Sequence, residues 1–161
     1  MRKISADNIT ALFEKIASGK TLYIPQDTKG GAKFKKFENG SVLSNELNTV
    51  RSAKDFFFPQ TENRMDFKVE GKNIEVIDPR EECEDFVIFG IRACDVKSFD
   101  VLDRVFLAEP VDTYYKNRRE HGIIMSLACD KPVETCFCHT FGIDASEPDG
   151  DVVCYKADGF F

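Results

Sequence analysis

Two almost uninterrupted apolar runs, at residues 86–91 and 123–128, limit the folds open to this chain. Runs of this kind are typical of strands that are buried on both faces of a sheet. Between them, apolar residues recur every three to four positions from Asp95 onward, which predicts an amphipathic helix, and a second helix is predicted at residues 112–120. Strand, helices and strand in this order predict a crossover between parallel strands, and hence an α/β fold with a mixed sheet.

Shorter elements are predicted on both sides of this core. Four apolar residues near the amino terminus are spaced as on one face of a helix: Ile9, Leu12, Phe13 and Ile16. Ser5 or Asp7 is available to cap that helix. Short strands are predicted at residues 21–25 and 152–155, whereas the Gly- and Lys-rich segment 27–40 has no periodicity and is predicted to be a loop.

A β-hairpin is predicted in the middle of the chain. Apolar and polar residues alternate at 65–69 and at 73–77, around the turn residues Glu70-Gly71-Lys72. The length of 161 residues is within the usual size of one domain, and no repeat or linker interrupts the pattern. Residues 1–161 are therefore predicted to form a single domain.

The charge and hydropathy of the chain argue against two classes of partner. A net charge of −6 opposes binding to phosphates, so no nucleic-acid partner is expected, and the small basic segment 29–36 is interpreted as a solvated loop. No apolar run approaches the roughly 18 residues of a membrane span, and the first residues lack the apolar core of a signal peptide. The sequence therefore predicts a cytoplasmic protein without a membrane span.

The cysteines carry the clearest sign of chemistry. In a chain without an export signal, six cysteines favour metal binding or redox chemistry over disulfides. Cys94 follows the first apolar run at the start of the predicted helix, and Cys129 directly follows the second run, so both are expected at the carboxyl edge of the sheet. The next loop adds Cys136 and Cys138. The spacing C-x34-C-x6-C-x-C thus predicts one convergent site.

Convergent thiolates repel one another unless a cation neutralises them, which points to zinc or to an iron–sulfur cluster. The chain lacks the paired C-x2-C units of structural zinc sites, and ligands that arrive from three chain segments suit a cubane. The amino terminus of the following helix is expected to favour the thiolate of Cys94. Two alternatives stay open: a zinc-stabilised structural or docking module, and a redox enzyme that uses Cys136 and Cys138 as a dithiol.

The other cysteines and the two histidines are interpreted as packing or surface residues: Cys83, Cys154, His121 and His139. His139 also stays open as an alternative ligand. Arg92 could offset the charge of a cluster or pair with a carboxylate such as Asp95 or Asp103. The tyrosines and arginines of residues 114–119 could line a partner interface or a flavin edge, but an ordinary amphipathic helix is preferred.

Several motifs in fixed order resemble a known family: Phe57-Phe58-Pro59-Gln60-Thr61-Glu62, Phe89-Gly90-Ile91-Arg92-Ala93-Cys94-Asp95, Leu102-Asp103-Arg104-Val105-Phe106-Leu107 and Thr135-Cys136-Phe137-Cys138-His139. Between residues 54 and 145 the chain resembles the beta subunit of sulfhydrogenases and the A subunit of anaerobic sulfite reductases. The resemblance implies a [4Fe-4S] cluster on the four cysteines named above. It also implies an electron relay between a flavin- and NAD(P)-binding subunit and a ferredoxin-like or catalytic partner in an anaerobic complex.

The chain departs from that family in one respect. It ends at Phe161 without the ferredoxin-like C-x2-C-x2-C-x3-C-P runs that bind further clusters. Either the chain is an amino-terminal fragment, or the rest of the relay lies on another polypeptide. The expected role is that of an electron-transfer subunit of an oxidoreductase complex, with no substrate site of its own.

Overall fold

The structure is a computed structural model that describes residues 3–80, 83–157 and 159–161. The helices are α1 (Ile9–Ala17), α2 (Ala93–Phe106) and α3 (Thr113–His121). The strands are β1 (Thr21–Gln26), β2 (Lys33–Lys36), β3 (Asp66–Glu70), β4 (Asn73–Ile77), β5 (Phe86–Ile91), β6 (Gly122–Leu127) and β7 (Val152–Cys154). No helix within the described ranges combines the length and hydropathy needed to cross a membrane.

The main sheet has the strand order β2-β1-β5-β6-β7 and is parallel except for β2, which pairs antiparallel with β1. β5 lies at its centre and pairs with β6 from Phe86, opposite Gly122, to Phe89, opposite Met125. The chain passes from β5 to β6 through α2 and α3, which confirms the predicted crossover. The protein therefore has the predicted α/β fold with a mixed sheet.

Hydrophobic clusters cover both faces of the sheet, and β5 contributes to both. Val87 and Phe89 pack in the cluster that contains Phe13 of α1, whereas Ile88 packs in the cluster that contains Phe99 of α2. The first cluster also contains Ile9, Leu22, Ile24, Phe37 and Met125. The second also contains Ala53, Phe57, Ile91, Val96, Tyr115 and Ile124. Because β5 is buried on both faces, its sequence is continuously apolar.

A bulge at Gly90 interrupts the alternation of β5. Phe89 is opposite Met125, but Ile91 is opposite the very next residue, Ser126, so β5 has one extra residue at this point. Gly90 has a φ of 89°, and a Cβ there would lie 3.1 Å from Cγ of Pro25. Without the bulge Ile91 would face the same side as Phe89. It packs instead in the cluster beside α2.

Two predictions near the amino terminus are wrong. The segment 27–40 is not entirely a loop, because β2 forms within it as an edge strand. Its one apolar residue, Phe34, packs against the cluster beside α2, and four residues are too few to produce a visible alternation. The cap of α1 is Asn8, which follows a 3-10 turn at Ala6–Asn8, and neither Ser5 nor Asn8 makes a side-chain capping hydrogen bond.

The predicted hairpin is confirmed, and it forms a separate two-stranded sheet of β3 and β4. Phe67 is opposite Val76 and Val69 is opposite Ile74, so these four side chains share one face of the hairpin. They are between 57% and 67% exposed. The hairpin therefore adds little to the hydrophobic core.

A polar network joins α2 to α3 beneath the second cluster. The buried Tyr115 donates its hydroxyl hydrogen to Asp103 Oδ1 at 2.6 Å, and Arg119 binds both oxygens of the same carboxylate at 3.0 Å. Burial alone would raise the pKa of Asp103, but the hydrogen bonds from Arg119 and Tyr115 outweigh it and lower that pKa. These residues of α3 are thus structural, as the sequence interpretation preferred.

We expect the Asp103→Asn variant to lose about 1 to 3 kcal/mol of unfolding free energy at neutral pH, because the charge-assisted hydrogen bonds are lost. The folded state lowers the pKa of Asp103 from its ordinary 3.8, so its stabilisation is complete above that pH and is lost as the pH falls through the folded value. Urea unfolding at several pH values should show the difference between wild type and variant shrinking below about pH 4.

Asp100→Asn is a matched control, since Asp100 forms a half-exposed surface ion pair with Lys97 on the same helix. That variant should change the unfolding free energy by less than about 0.5 kcal/mol. Equal losses in the two variants would contradict the structural importance of the network.

We expect the Gly90→Ala variant to be less stable by about 1 to 3 kcal/mol, because alanine must adopt a positive φ and its Cβ crowds Pro25. Thermal and urea unfolding measure the loss. Gly19→Ala is the control, because a Cβ at Gly19 meets nothing within 4 Å. A Gly90→Ala protein as stable as wild type would show that the bulge is not under this constraint.

Candidate metal centre

The four predicted ligands lie where the strands end. Cys94 is the second residue of α2 and lies three residues beyond β5, and Cys129 lies two residues beyond β6. Cys136 closes a turn through a hydrogen bond from its own N–H to the carbonyl of Val133 at 2.9 Å, and Cys138 begins the 3-10 helix Cys138–Phe141. All four cysteines are free thiols.

A cavity of about 630 Å³ opens at this carboxyl edge, and Cys94, Cys136 and Cys138 line it. Cys129 is close enough to Cys94, Cys136 and Cys138 for its charge to affect or be affected by theirs. Within the described residues, however, no group of three or more His, Cys, Asp or Glu side chains has the spacing to hold a metal ion as it stands. The thiols share one region without forming a closed coordination site.

Backbone hydrogen bonds fix the loop that carries three of these cysteines. The N–H of Cys129 donates to the carbonyl of Ala145 at 2.9 Å, and the N–H of Ile143 donates to that of Cys138 at 3.0 Å. Gly142, with a φ of 64°, ends the 3-10 helix between them. The N–H of Val133 also points to Cys136 Sγ, at 3.4 Å. The two ends of the loop are thereby held together behind the thiols.

Arg92 holds this loop to the rest of the protein, but not through a carboxylate. Its Nε donates to the carbonyl of Leu47 at 2.8 Å, and its Nη1 donates to that of Ala128 at 3.2 Å. Of the two roles considered for Arg92, the ion pair with Asp95 or Asp103 is therefore wrong. Asp95 accepts hydrogen bonds from Ser52 and Lys54, and Asp103 belongs to the network with Arg119. An isolated sequence does not reveal that backbone carbonyls will converge on Arg92.

The surroundings of Cys94 disfavour its thiolate in the metal-free protein. Loss of solvation, and then the negative charges of Asp95 and Cys138, raise the pKa of Cys94 to about 11. The backbone N–H of Asp95 at the start of α2 acts in the opposite direction, as expected from the helix terminus, but it is outweighed. The helix terminus therefore acts in the expected direction, but it does not favour the Cys94 thiolate overall in the protein without a cation.

Burial also raises the pKa of Cys129, and Cys138 and Cys136 add to the rise, while the guanidinium of Arg92 partly offsets it. Part of the rise in the pKa of Cys94 and of Cys129 therefore comes from repulsion between thiolates. A cation bound among them would reverse this effect, because it favours deprotonated ligands. Soft sulfur donors, three of them around one cavity and the fourth nearby, fit zinc or an iron–sulfur cluster, and do not fit a hard cation such as Mg²⁺.

One segment of the site was missed by sequence reasoning. Residues 43–54 have no periodicity, yet several of them line the cavity: Leu43, Ser44, Glu46, Leu47, Asn48, Thr49, Ser52 and Lys54. Ser52 caps the 3-10 helix Ala53–Phe56 by accepting from the N–H of Lys54, and it donates to Asp95 at 2.8 Å. The pattern Ser-x-x-Asp at Ser52 was the available signal, because it is typical of a helix start.

The cysteines and histidines left out of the site do not line the cavity in the described part of the chain. Cys154 is partly buried against the cluster beside α1. Cys83 lies beside Asp85 ahead of β5, and His121 Nδ1 is 2.8 Å from Asp85 Oδ1. His139 is exposed. These placements agree with packing and surface roles.

Comparison with known proteins adds one relationship. The chain is 25% identical to the Sulfhydrogenase 2 subunit beta of Pyrococcus furiosus over 154 residues, which is 96% of the chain. This confirms the resemblance to sulfhydrogenases, and it extends that resemblance beyond residues 54–145. The aligned part is 45% of the Pyrococcus subunit, so the chain spans less than half the length of this sulfhydrogenase relative. No family model and no solved structure matches the chain.

We expect the Arg92→Lys variant to loosen the loop after β6. Lysine keeps the charge, but it cannot reproduce the fork that reaches the carbonyls of Leu47 and Ala128. The unfolding free energy should fall by about 1 to 2 kcal/mol. The amides of Ala128 and Cys129 should exchange hydrogen faster, as measured by NMR or mass spectrometry.

Arg104→Lys serves as the control, because Arg104 is an exposed residue in the last turn of α2. The Arg104→Lys variant should leave the hydrogen-exchange rates of both amides unchanged. Unchanged exchange in Arg92→Lys as well would mean that the guanidinium does not hold this loop.

Proposed function

We propose that this chain binds one [4Fe-4S] cluster through Cys94, Cys129, Cys136 and Cys138 and transfers electrons within an anaerobic oxidoreductase complex. The observation that carries the proposal is the gathering of Cys94, Cys136 and Cys138 around one cavity at the carboxyl edge of the sheet. Cys129 does not line the cavity, but it is close enough to interact electrostatically with the other thiols. The relationship to a sulfhydrogenase beta subunit supports a redox role over a purely structural one.

The chain supplies the surroundings that such a cluster needs. When bound, the cluster supplies reversible one-electron transfer, while the protein sets how readily it accepts the electron. The N–H of Val133 points at Cys136 Sγ and favours its negative charge. The guanidinium of Arg92 lies near Cys129 and acts in the same direction. Both groups would raise the reduction potential, because they stabilise the more negative, reduced state.

The proposed partners are the other subunits of a redox complex. One is a flavin- and NAD(P)-binding subunit that exchanges electrons with a nicotinamide, and the other is a ferredoxin-like or catalytic subunit. We propose that the complex is cytoplasmic and that this chain contributes no substrate site of its own. The same donor set would also suit zinc, which defines the alternative: a structural or docking module without a redox role.

We expect the Cys136→Ser variant to lose the cluster, because serine replaces a thiolate ligand with a weakly acidic hydroxyl. Wild-type protein purified without oxygen should contain about four iron and four sulfide per chain. It should also be brown and bleach on reduction. Iron and sulfide analysis with visible spectroscopy measures the loss in the variant.

Cys154→Ser is the matched control, since Cys154 is a partly buried free thiol outside the cavity. It should keep the full iron content. A colourless wild-type protein with one zinc per chain would overturn the iron–sulfur proposal in favour of the zinc module. A metal-free protein with a reactive dithiol at Cys136 and Cys138 would overturn both.

A further inference from the structure

Two exposed aromatic side chains lie in the loop that carries the last two cysteines. Phe137 stands between Cys136 and Cys138 in the sequence, and Phe141 ends the 3-10 helix that Cys138 begins. Their side chains are 65% and 67% exposed, and their ring centroids are 5.7 Å apart. Neither belongs to a hydrophobic cluster of the described core. The rings thus pack on each other outside the core, and both also line the cavity beside Cys136 and Cys138.

Exposed aromatic pairs of this kind are typical of interaction surfaces, because aromatic residues are enriched at the centres of protein interfaces. The position of the pair narrows the choice of partner. A protein that covers Phe137 contacts the residue between two of the proposed cluster ligands. An approach at this point would bring a partner close to the proposed cluster, and a short distance favours electron transfer. We therefore expect the partner to be an electron-transfer protein.

The charge of the loop defines the chemistry of that partner. Residues 129–151 contain one lysine and no arginine, against six exposed carboxylates: Asp130, Glu134, Asp144, Glu147, Asp149 and Asp151. The whole chain has a net charge of −6, so most of the excess lies in these residues. Such a concentration of one sign attracts a basic surface and repels an acidic one.

We infer that Phe137, Phe141 and the carboxylates of residues 129–151 form the docking surface for an electron-transfer protein with an apolar centre and a basic rim. This inference rests on the proposed function and specifies the kind of partner. A second copy of the chain fits poorly, because two acidic loops would face each other. Short-lived electron-transfer encounters have small interfaces, and two rings inside a charged rim would provide a surface of that size.

The test uses oxidised cytochrome c, a basic redox protein, as the probe. Its binding to the full chain is measured by titration at low and at high ionic strength. Electron transfer from the pre-reduced chain, freed of excess reductant, is followed by stopped flow as the haem changes from ferric to ferrous. One electron leaves the protein for each haem reduced. A small dye, dichlorophenolindophenol, serves as an acceptor that needs no docking surface.

We expect Phe137→Ala/Phe141→Ala to weaken cytochrome c binding about tenfold or more. The exposed hairpin residue provides the control Phe67→Ala, which should bind as wild type does. Glu134→Gln/Glu147→Gln should slow reduction of cytochrome c about threefold and reduce its salt dependence. The same variant should leave dye reduction unchanged, whereas Glu70→Gln/Glu75→Gln on the hairpin should change neither rate.

Each outcome bears on the inference. It is overturned if both loop variants bind cytochrome c as tightly as wild type, or if Phe67→Ala loses as much affinity. It is also overturned if wild type forms a dimer that the aromatic substitutions break. If Phe137→Ala/Phe141→Ala loses iron, the result for Glu134→Gln/Glu147→Gln alone decides whether the docking surface is correct. If wild type contains no cluster, the proposed function fails, while the binding titration still tests the docking surface.

Discussion

The parallel pairing of β5 with β6 is the constraint on which the rest of this structure depends. Parallel neighbours require a connection that crosses the sheet, and here α2 and α3 provide it while covering one face. The strands must then be apolar on both sides, since α1 covers the other face. The same pairing brings the ends of both strands to one edge. Cys94 and Cys129, far apart in sequence, emerge there together.

The site at that edge combines a backbone fixed by hydrogen bonds with thiols whose surroundings disfavour deprotonation. Hydrogen bonds from Arg92 to backbone carbonyls, and between backbone groups within the loop, hold most of the loop in place. Loss of solvation and nearby negative groups raise the pKa of Cys94 and of Cys129. A cationic occupant would lower these pKa values, because it favours deprotonated ligands and offsets the repulsion between the thiolates that form when it binds.

The sequence permitted prediction of those features that depend on long apolar runs and strand direction. β5, β6, the crossover and the position of Cys94 and Cys129 at one edge all followed from such patterns. The strand β2 was not predicted, because it has only four residues and a single apolar side chain. Two other features were not predicted for a different reason: the carbonyl partners of Arg92 and the role of segment 43–54. They arise only when distant parts of the chain have packed, and no local pattern encodes them.

The extra residue at Gly90 affects the direction of the Cys94 side chain. Each residue of an α-helix turns the chain by about 100°, so the point at which α2 begins decides the direction of every side chain after it. The bulge delays that start by one residue relative to a regular strand, and it sends Ile91 to the opposite layer. A chain without this insertion could keep all its cysteines and still direct the first one away from the others. The bulge therefore helps to set the direction in which the thiol of Cys94 leaves the edge of the sheet.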